Sequence, residues 1–275
     1  MKKRTVSYSD FNAYVDFCYN NKIPYSIKRF GYSTTIETKN EHLYACTLEL
    51  PKEHTDKNDK KPDLLPRNQL YFISKVKQYI DENELYKKIK PNYTDQSKIK
   101  FFDHNENISA GQVFKRPYSI DITKAYWYAA FNEGWLSQEL FDEGLTMDKR
   151  IRLASLGSYA KQVDEIKFNG KSEKWMPTKE PKYPHVFFNQ ANTVFKVMEI
   201  CKSQIFKPYF LFYWTDGIYV TCKEAADDCA KIININKFIY KVERPIKIER
   251  TPSAFLSHEI GEPKPKPYFI ALYKA

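Results

Sequence analysis

The sequence predicts an α+β protein: an antiparallel sheet with helices on one face, preceded by a mixed α/β N-terminal extension. Three observations point there. Residues 206–222, FKPYFLFYWTDGIYVTC, run aromatic and β-branched as far as Trp214, break at Thr215-Asp216-Gly217 and resume as Ile218-Tyr219-Val220. That is the pattern of two short strands around a tight turn. Tyr118-Ser119-Ile120-Asp121-Ile122 reads as another strand, and an aromatic-rich helical stretch, residues 125–132, follows it at once. Finally, 275 residues can bury a sizeable core, either as one large domain or as one domain with an N-terminal extension.

Taken in order, residues 8–21 form a short helix, and the alternating segments 32–36 and 43–50 form strands with one buried face. Residues 51–66, PKEHTDKNDKKPDLLP, are charged, bounded by proline and poor in apolar side chains, so they form a solvated loop. From 69 to 89, Leu70, Ile73, Val76 and Ile80 fall on one stripe of an amphipathic helix. Beyond the strand at 118–122 and the helix at 125–132, helices are expected near 135–142 and over 146–163, the second bearing Lys149, Arg150, Arg152 and Lys161. A Pro/Lys-rich loop, 177–184, precedes a helix over 189–204 that leads into the hairpin. A helix over 223–233 and a strand over 238–249 come next, and the tail carries Lys264-Pro265-Lys266-Pro267-Tyr268. The expected division is an α+β region of unassigned role, 1–106, and a second domain, 107–275.

Composition narrows the partners. Lysine and arginine number 44 against 34 aspartates and glutamates, a net charge of +10, and 16% of residues are aromatic. A basic, ring-rich surface suits phosphate neutralisation and base stacking, so nucleic acid is the first partner to consider. The alternative is a basic protein without a polyanion partner, and charge alone does not decide between them. Cys18, Cys46, Cys201, Cys222 and Cys229 are odd in number and contain no C-x-x-C pair. This fits reduced thiols in the cytoplasm, used as core fillers, and argues against a zinc ribbon. The histidines show no H-E-x-x-H or H-x-H spacing, and no G-x-x-x-x-G-K-[ST] phosphate loop occurs. The basic start, Met1-Lys2-Lys3-Arg4, is not followed by an apolar segment, and no run of about 18 apolar residues exists. The expectation is a protein that is neither secreted nor membrane-spanning.

Chemistry rests on two carboxylates far apart in the chain. Asp216 sits in the hairpin turn and Asp121 near the end of its strand. Side by side in an antiparallel sheet, such strand ends can hold a pair of cations about 3.5–4 Å apart, the geometry for in-line phosphoryl transfer. The basic helix between them would face a triphosphate or a nucleic-acid backbone, a role the guanidinium fork suits better than an ammonium. Plainer readings stand beside this one. Thr-Asp-Gly is ordinary turn chemistry, Asp121 can cap the next helix, the basic residues can be a solvated face, and Tyr126, Trp127 and Tyr128 can be core aromatics.

Residues 118–128 resemble motif A of the family B DNA polymerases, D-x-x-S-L-Y-P, with Asp121 on the metal-binding aspartate and Tyr126 on the tyrosine that excludes a 2′-hydroxyl. Residues 152–160, RLASLGSYA, are similar to motif B, K-x-x-x-N-S-x-Y-G, with Arg152 on the triphosphate-binding lysine and Tyr159 on the tyrosine against the nascent base pair. Residues 212–217, FYWTDG, resemble motif C, Y-x-D-T-D-S, with Asp216 on its second aspartate. Ser109-Ala110-Gly111-Gln112 is similar to the Y-x-G-G/A segment that touches template, and Lys266-Pro267-Tyr268 to the K-x-Y contact with the primer strand.

The resemblance implies a palm-like domain at 107–275 with very short fingers, because Arg152 follows Asp121 by only 31 positions (152 − 121). It implies a template-directed DNA polymerase-like nucleotidyltransferase with two Mg²⁺ on Asp121 and Asp216. Arg152, Lys149, Tyr126 and Tyr159 would bind the nucleotide; Gly111, Lys161, Lys266 and Tyr268 would touch nucleic acid. Implied partners are a DNA primer-template, deoxynucleoside triphosphates and other replication proteins, with no membrane. The implied setting is viral or mobile-element DNA replication in the cytoplasm, that of an infected bacterial host included. The chain departs from the motifs at Trp214, which takes the first motif C aspartate position, at Phe212 and Gly217, and at Leu156, Gly157 and Ala160 in motif B. Two alternatives stay open: a non-catalytic, palm-derived nucleic-acid-binding replication accessory protein, and an RNase H-like nuclease, for which only two of the acidic ligands are assigned.

Overall fold

The computed structural model describes residues 2–30, 33–46, 67–93, 99–160 and 163–270. The chain begins with β1 (Lys2–Thr5), α1 (Tyr8–Asn20), β2 (Tyr25–Phe30), β3 (Ser33–Glu37), β4 (Glu41–Cys46), α2 (Arg67–Glu82) and α3 (Leu85–Lys88). It continues through β5 (Phe102–His104), β6 (Val113–Lys115), β7 (Tyr118–Ile122), α4 (Ala125–Asn132), α5 (Gln138–Thr146), α6 (Lys149–Gly157), β8 (Asp164–Phe168) and β9 (Glu173–Trp175). The last third holds α7 (His185–Gln204), β10 (Phe210–Trp214), β11 (Gly217–Val220), α8 (Lys223–Ile235), β12 (Tyr240–Glu243), β13 (Lys247–Arg250), β14 (Ala254–His258) and β15 (Lys266–Phe269). The class is α+β, as the sequence predicts. Among the described residues no helix is long and apolar enough to cross a membrane.

The division of the chain differs from the expected cut at 106/107. One compact unit joins residues 1–86 to 143–187, and the other joins 87–142 to 188–275. Long-range strand pairing is the cause. In the first unit β8 adds to the edge of β2, with Ile27 opposite Ile166 and Tyr25 opposite Phe168, completing a six-stranded sheet ordered β1-β4-β3-β2-β8-β9. Phe11, Ile27, Ile36, Ile166 and Phe168 bury one cluster there, each side chain worth about 1.5–3 kcal/mol of transfer free energy. Helix α1 starts where the Ser7 hydroxyl accepts the Asp10 N–H at 3.0 Å, an ordinary N-cap. Helix α2 buries Phe72, Val76 and Ile80 at i, i+4 and i+8. The expected loop at 51–66 and the end of the expected strand at 47–50 lie outside the described residues.

The second unit is built on a five-stranded antiparallel sheet ordered β12-β7-β11-β10-β5. Its core reads β7, helices, β10-β11 hairpin, α8, β12, with β11 inserted between β7 and β10, which is the split β-α-β arrangement. One face of this sheet, through Ile120, Ile122, Tyr213, Ile218 and Val220, packs with Ala129 of α4, Val194, Val197, Met198 and Cys201 of α7, and Ala225, Ala226, Cys229 and Ile233 of α8. On the other face Phe212 and Tyr219 pack with Ile248, Phe255 and Tyr268 of a four-stranded sheet ordered β15-β14-β13-β6.

Three element boundaries depart from expectation. The strand expected over 238–249 is two strands in different sheets, β12 and β13. Pro245 falls between them, has no N–H to give to a ladder, and ends the first. The helix expected over 146–163 stops at Gly157, and the helix expected over 69–89 ends at Glu82, with the short α3 after it. The tail at 266–269 forms a strand, with Phe255 opposite Tyr268.

Candidate functional site

Strand β7 alternates cleanly. Ile120 and Ile122 go into the helix-covered core, which leaves Ser119 and Asp121 on the opposite face. Its neighbour β11 puts Gly217 directly across from Asp121. The carbonyl of Asp216, one residue earlier, accepts the Ile122 N–H at 2.9 Å. The two carboxylate-bearing residues, 95 positions apart (216 − 121), thus occupy the same end of two hydrogen-bonded strands.

The hairpin turn that delivers Asp216 is constrained. Trp214 pairs with Gly217, leaving Thr215 and Asp216 as the two loop residues. Thr215 has φ +50°, a left-handed conformation that costs a β-branched residue about 1–2 kcal/mol. It is held there by its N–H to the Phe101 carbonyl, at 2.5 Å, and its hydroxyl donates to Asp216 Oδ1 at 2.6 Å. Gly217 keeps the space beside Asp121 open: a Cβ there would make a tight contact, 3.2 Å from Asp121 Oδ1. The glycine that departs from the motif C serine therefore leaves room for the other carboxylate.

Electrostatics mark Asp121. Burial, and then the nearby Asp216 charge, raise its pKa from 3.8 to about 6, while Lys241 and Lys266 pull it back down. Lys241 lies across from Asp121 on β12, with Nζ 3.8 Å from Asp121 Oδ2 and 3.0 Å from Glu243 Oε1. Asp121, Lys241, Tyr219, Lys266 and Tyr268 line a cleft of about 480 Å³. The Tyr219 and Tyr268 hydroxyls are 2.5 Å apart, and burial raises the pKa of both phenols, so they are neutral at physiological pH. Lys266 Nζ stands 5.1 Å from the Tyr268 ring centre.

The other expected site residues are distributed as follows. Tyr126 is half-buried on the first turn of α4, the helix that β7 feeds. Gly111 is exposed at φ +92° and donates its N–H to the Arg250 carbonyl at 2.7 Å. Arg152, Tyr159 and Lys149 belong to the first unit, not to the one that holds the two aspartates. Arg152 is 9% exposed, and its guanidinium donates to the carbonyls of Gly144 and Met147. Tyr159 donates to Asp81 Oδ1 at 2.7 Å, and Lys149 is exposed at the start of α6. Lys161 lies outside the described residues. Trp214, at the first motif C aspartate position, packs edge-on against Phe102 and Tyr268, with ring centres 5.5 Å apart in each pair.

Sequence reasoning missed Lys241, Glu243 and Tyr219. The signal for Lys241 and Glu243 was the alternation of 238–249, and for Tyr219 the run 218–220 after the turn; each marks a strand but does not name its partner. Among the described residues no group of three or more His, Cys, Asp or Glu side chains is arranged to hold a metal ion. No protein-family model, curated protein or solved structure matches the chain.

Proposed function

We propose that the chain is a template-directed DNA polymerase-like nucleotidyltransferase that extends a primer by metal-assisted phosphoryl transfer, acting in the replication of viral or mobile-element DNA. One observation carries the reading: Asp121 and Asp216 occupy the same end of two adjacent central strands in a split β-α-β sheet. The sequence resemblance puts the same two residues on metal-binding aspartates, and the strand order supports a palm-like reading of the sheet.

The donor set fits a divalent cation. The Asp216 charge opposes ionisation of Asp121, and hard oxygen ligands placed side by side are what Mg²⁺ accepts. When bound, the metal supplies Lewis-acid polarisation of a phosphoryl oxygen and activates an attacking hydroxyl. The chain's own residues do the rest. Asp121 and Asp216 hold the charge, Lys266 adds a positive wall to the cleft, and the buried ring of Tyr268 fixes that wall. Tyr126, on the first turn of α4, would meet the nucleotide sugar, as the resemblance implies.

A second reading, a palm-derived nucleic-acid-binding accessory protein without catalysis, is favoured by two observations. The Arg152 guanidinium is committed to backbone carbonyls, and Trp214 puts an apolar ring where a third carboxylate would stand. Asp216→Asn separates the two. It lowers incorporation on a primed DNA template by about a thousandfold, the scale on which a preorganised electrostatic group acts, with DNA affinity unchanged. Undiminished incorporation in that variant would remove Asp216 from the mechanism. DNA binding itself weakens with a log-log salt slope of about −0.9 per phosphate contacted, and a flat dependence would reject nucleic acid as the partner.

A further inference from the structure

Lys241 is the one ammonium within salt-bridge distance of Asp121 among the described residues. Its position is built rather than incidental. β12 pairs with β7 in antiparallel register, Lys241 stands directly opposite Asp121 and Glu243 opposite Ser119, so Lys241, Glu243 and Asp121 share the cleft. Glu243 Oε1 holds the ammonium at 3.0 Å. We infer that Lys241 fills the place of a second cation, so that the site takes one divalent ion and uses the lysine as its other positive charge. The inference rests on the reading of Asp121 and Asp216 as metal ligands.

Charge balance carries it. The cleft wall carries Asp121, Glu243, Glu259 and Glu262 against Lys241, Arg244 and Lys266. With Asp216 beside Asp121 the local charge is −2 (three positive, five negative), which one divalent ion balances and a second would overshoot, and the position that would supply a further carboxylate is Trp214, in an apolar cluster. An ammonium also has three donors for phosphate oxygens and acts as a point charge without needing a ligand shell. Arg152, the expected triphosphate ligand, has its guanidinium directed to backbone carbonyls, whereas Lys241 is on the cleft wall with more than half its side chain exposed.

The test is a titration with Mn²⁺ alone, followed by the paramagnetic resonance signal of the free ion, on the full chain. Wild type is expected to bind one ion, and Asp216→Asn to lose it. Lys241→Gln should bind the first ion about fivefold tighter, because a unit positive charge about 4 Å from a ligand opposes it by about 1 kcal/mol. Lys241→Arg, which keeps the charge, should stay near wild type. The same gain in Lys241→Gln/Glu243→Gln would show that it arises from removing the ammonium rather than from freeing Glu243. Two ions bound to wild type, or an unchanged first affinity in Lys241→Gln, would overturn the inference and leave the metal site standing. Binding that survives in Asp216→Asn would overturn the metal site itself, and the inference with it.

Discussion

Asp121→Asn should make the metal-free protein more stable at neutral pH. The carboxylate is held against its own ionisation, with its pKa raised from 3.8 to about 6. At about 1.4 kcal/mol per pH unit this is a penalty of about 3 kcal/mol for full burial. The side chain keeps 35% of its exposure, so solvent screening reduces the penalty to about 1.5 kcal/mol. That shift already contains the attraction of Lys241, so the net gain for the variant is about 1.5 kcal/mol. The sign follows from proton linkage. Between about pH 4 and pH 6 the folded chain keeps a proton that the unfolded chain has released, so wild-type stability falls as pH rises through that window. The asparagine variant has no such fall. Urea unfolding in the presence of a chelator, followed by tryptophan fluorescence, reads the difference. Trp127, Trp135 and Trp214 belong to the unit that holds Asp121, while Trp175 of the other unit is exposed. The midpoint of Asp121→Asn should exceed wild type at about pH 7 and converge with it at about pH 4. A variant less stable at neutral pH, or a gain of equal size at both pH values, would refute the claim that Asp121 is held in an unfavourable ionised state.

Three further outcomes test the structural roles assigned to neighbouring residues. Arg152→Met should cost about 2 kcal/mol, because the Gly144 and Met147 carbonyls lose a buried charged donor; urea unfolding measures it, and a neutral result would mean the guanidinium is free for another task. Thr215→Asn should raise stability by about 0.5–1 kcal/mol, since asparagine tolerates the left-handed conformation that threonine resists; a loss would mean that the threonine hydroxyl matters more than the backbone strain. Tyr268→Phe should cost about 1–2 kcal/mol by removing the partner of the buried Tyr219 hydroxyl, measurable as a lower thermal midpoint, and no shift would show that water replaces it.

The α+β class and the two acidic positions were legible in the chain because both depend on local pattern. The Thr215-Asp216 turn is fixed by the aromatic runs on either side of it, and Asp121 by the alternation of five residues and the helix that follows. Partners set by long-range pairing were not legible. Nothing in residues 164–168 says that they will add to β2, so the cut expected at 106/107 differs from the two compact units, one of which joins the segment carrying Arg152 and Tyr159 to residues 1–86. The strand over 238–249 was visible, but the break at Pro245 divides it between two sheets, and only the β7 pairing reveals that Lys241 faces Asp121. Arg152 illustrates a general limit: a basic residue on a helix reads as a phosphate ligand or as a solvated face, and burial against backbone carbonyls is a third fate that periodicity does not encode.

The most direct test of the central claim is incorporation of labelled deoxynucleotides on a primed DNA template by the wild-type protein, with each nucleotide offered alone and with Mg²⁺ present or chelated. The account predicts Mg²⁺-dependent addition of the nucleotide complementary to the template, absent in both Asp121→Asn and Asp216→Asn. Template-bound wild-type protein that adds no nucleotide under any of these conditions would contradict it.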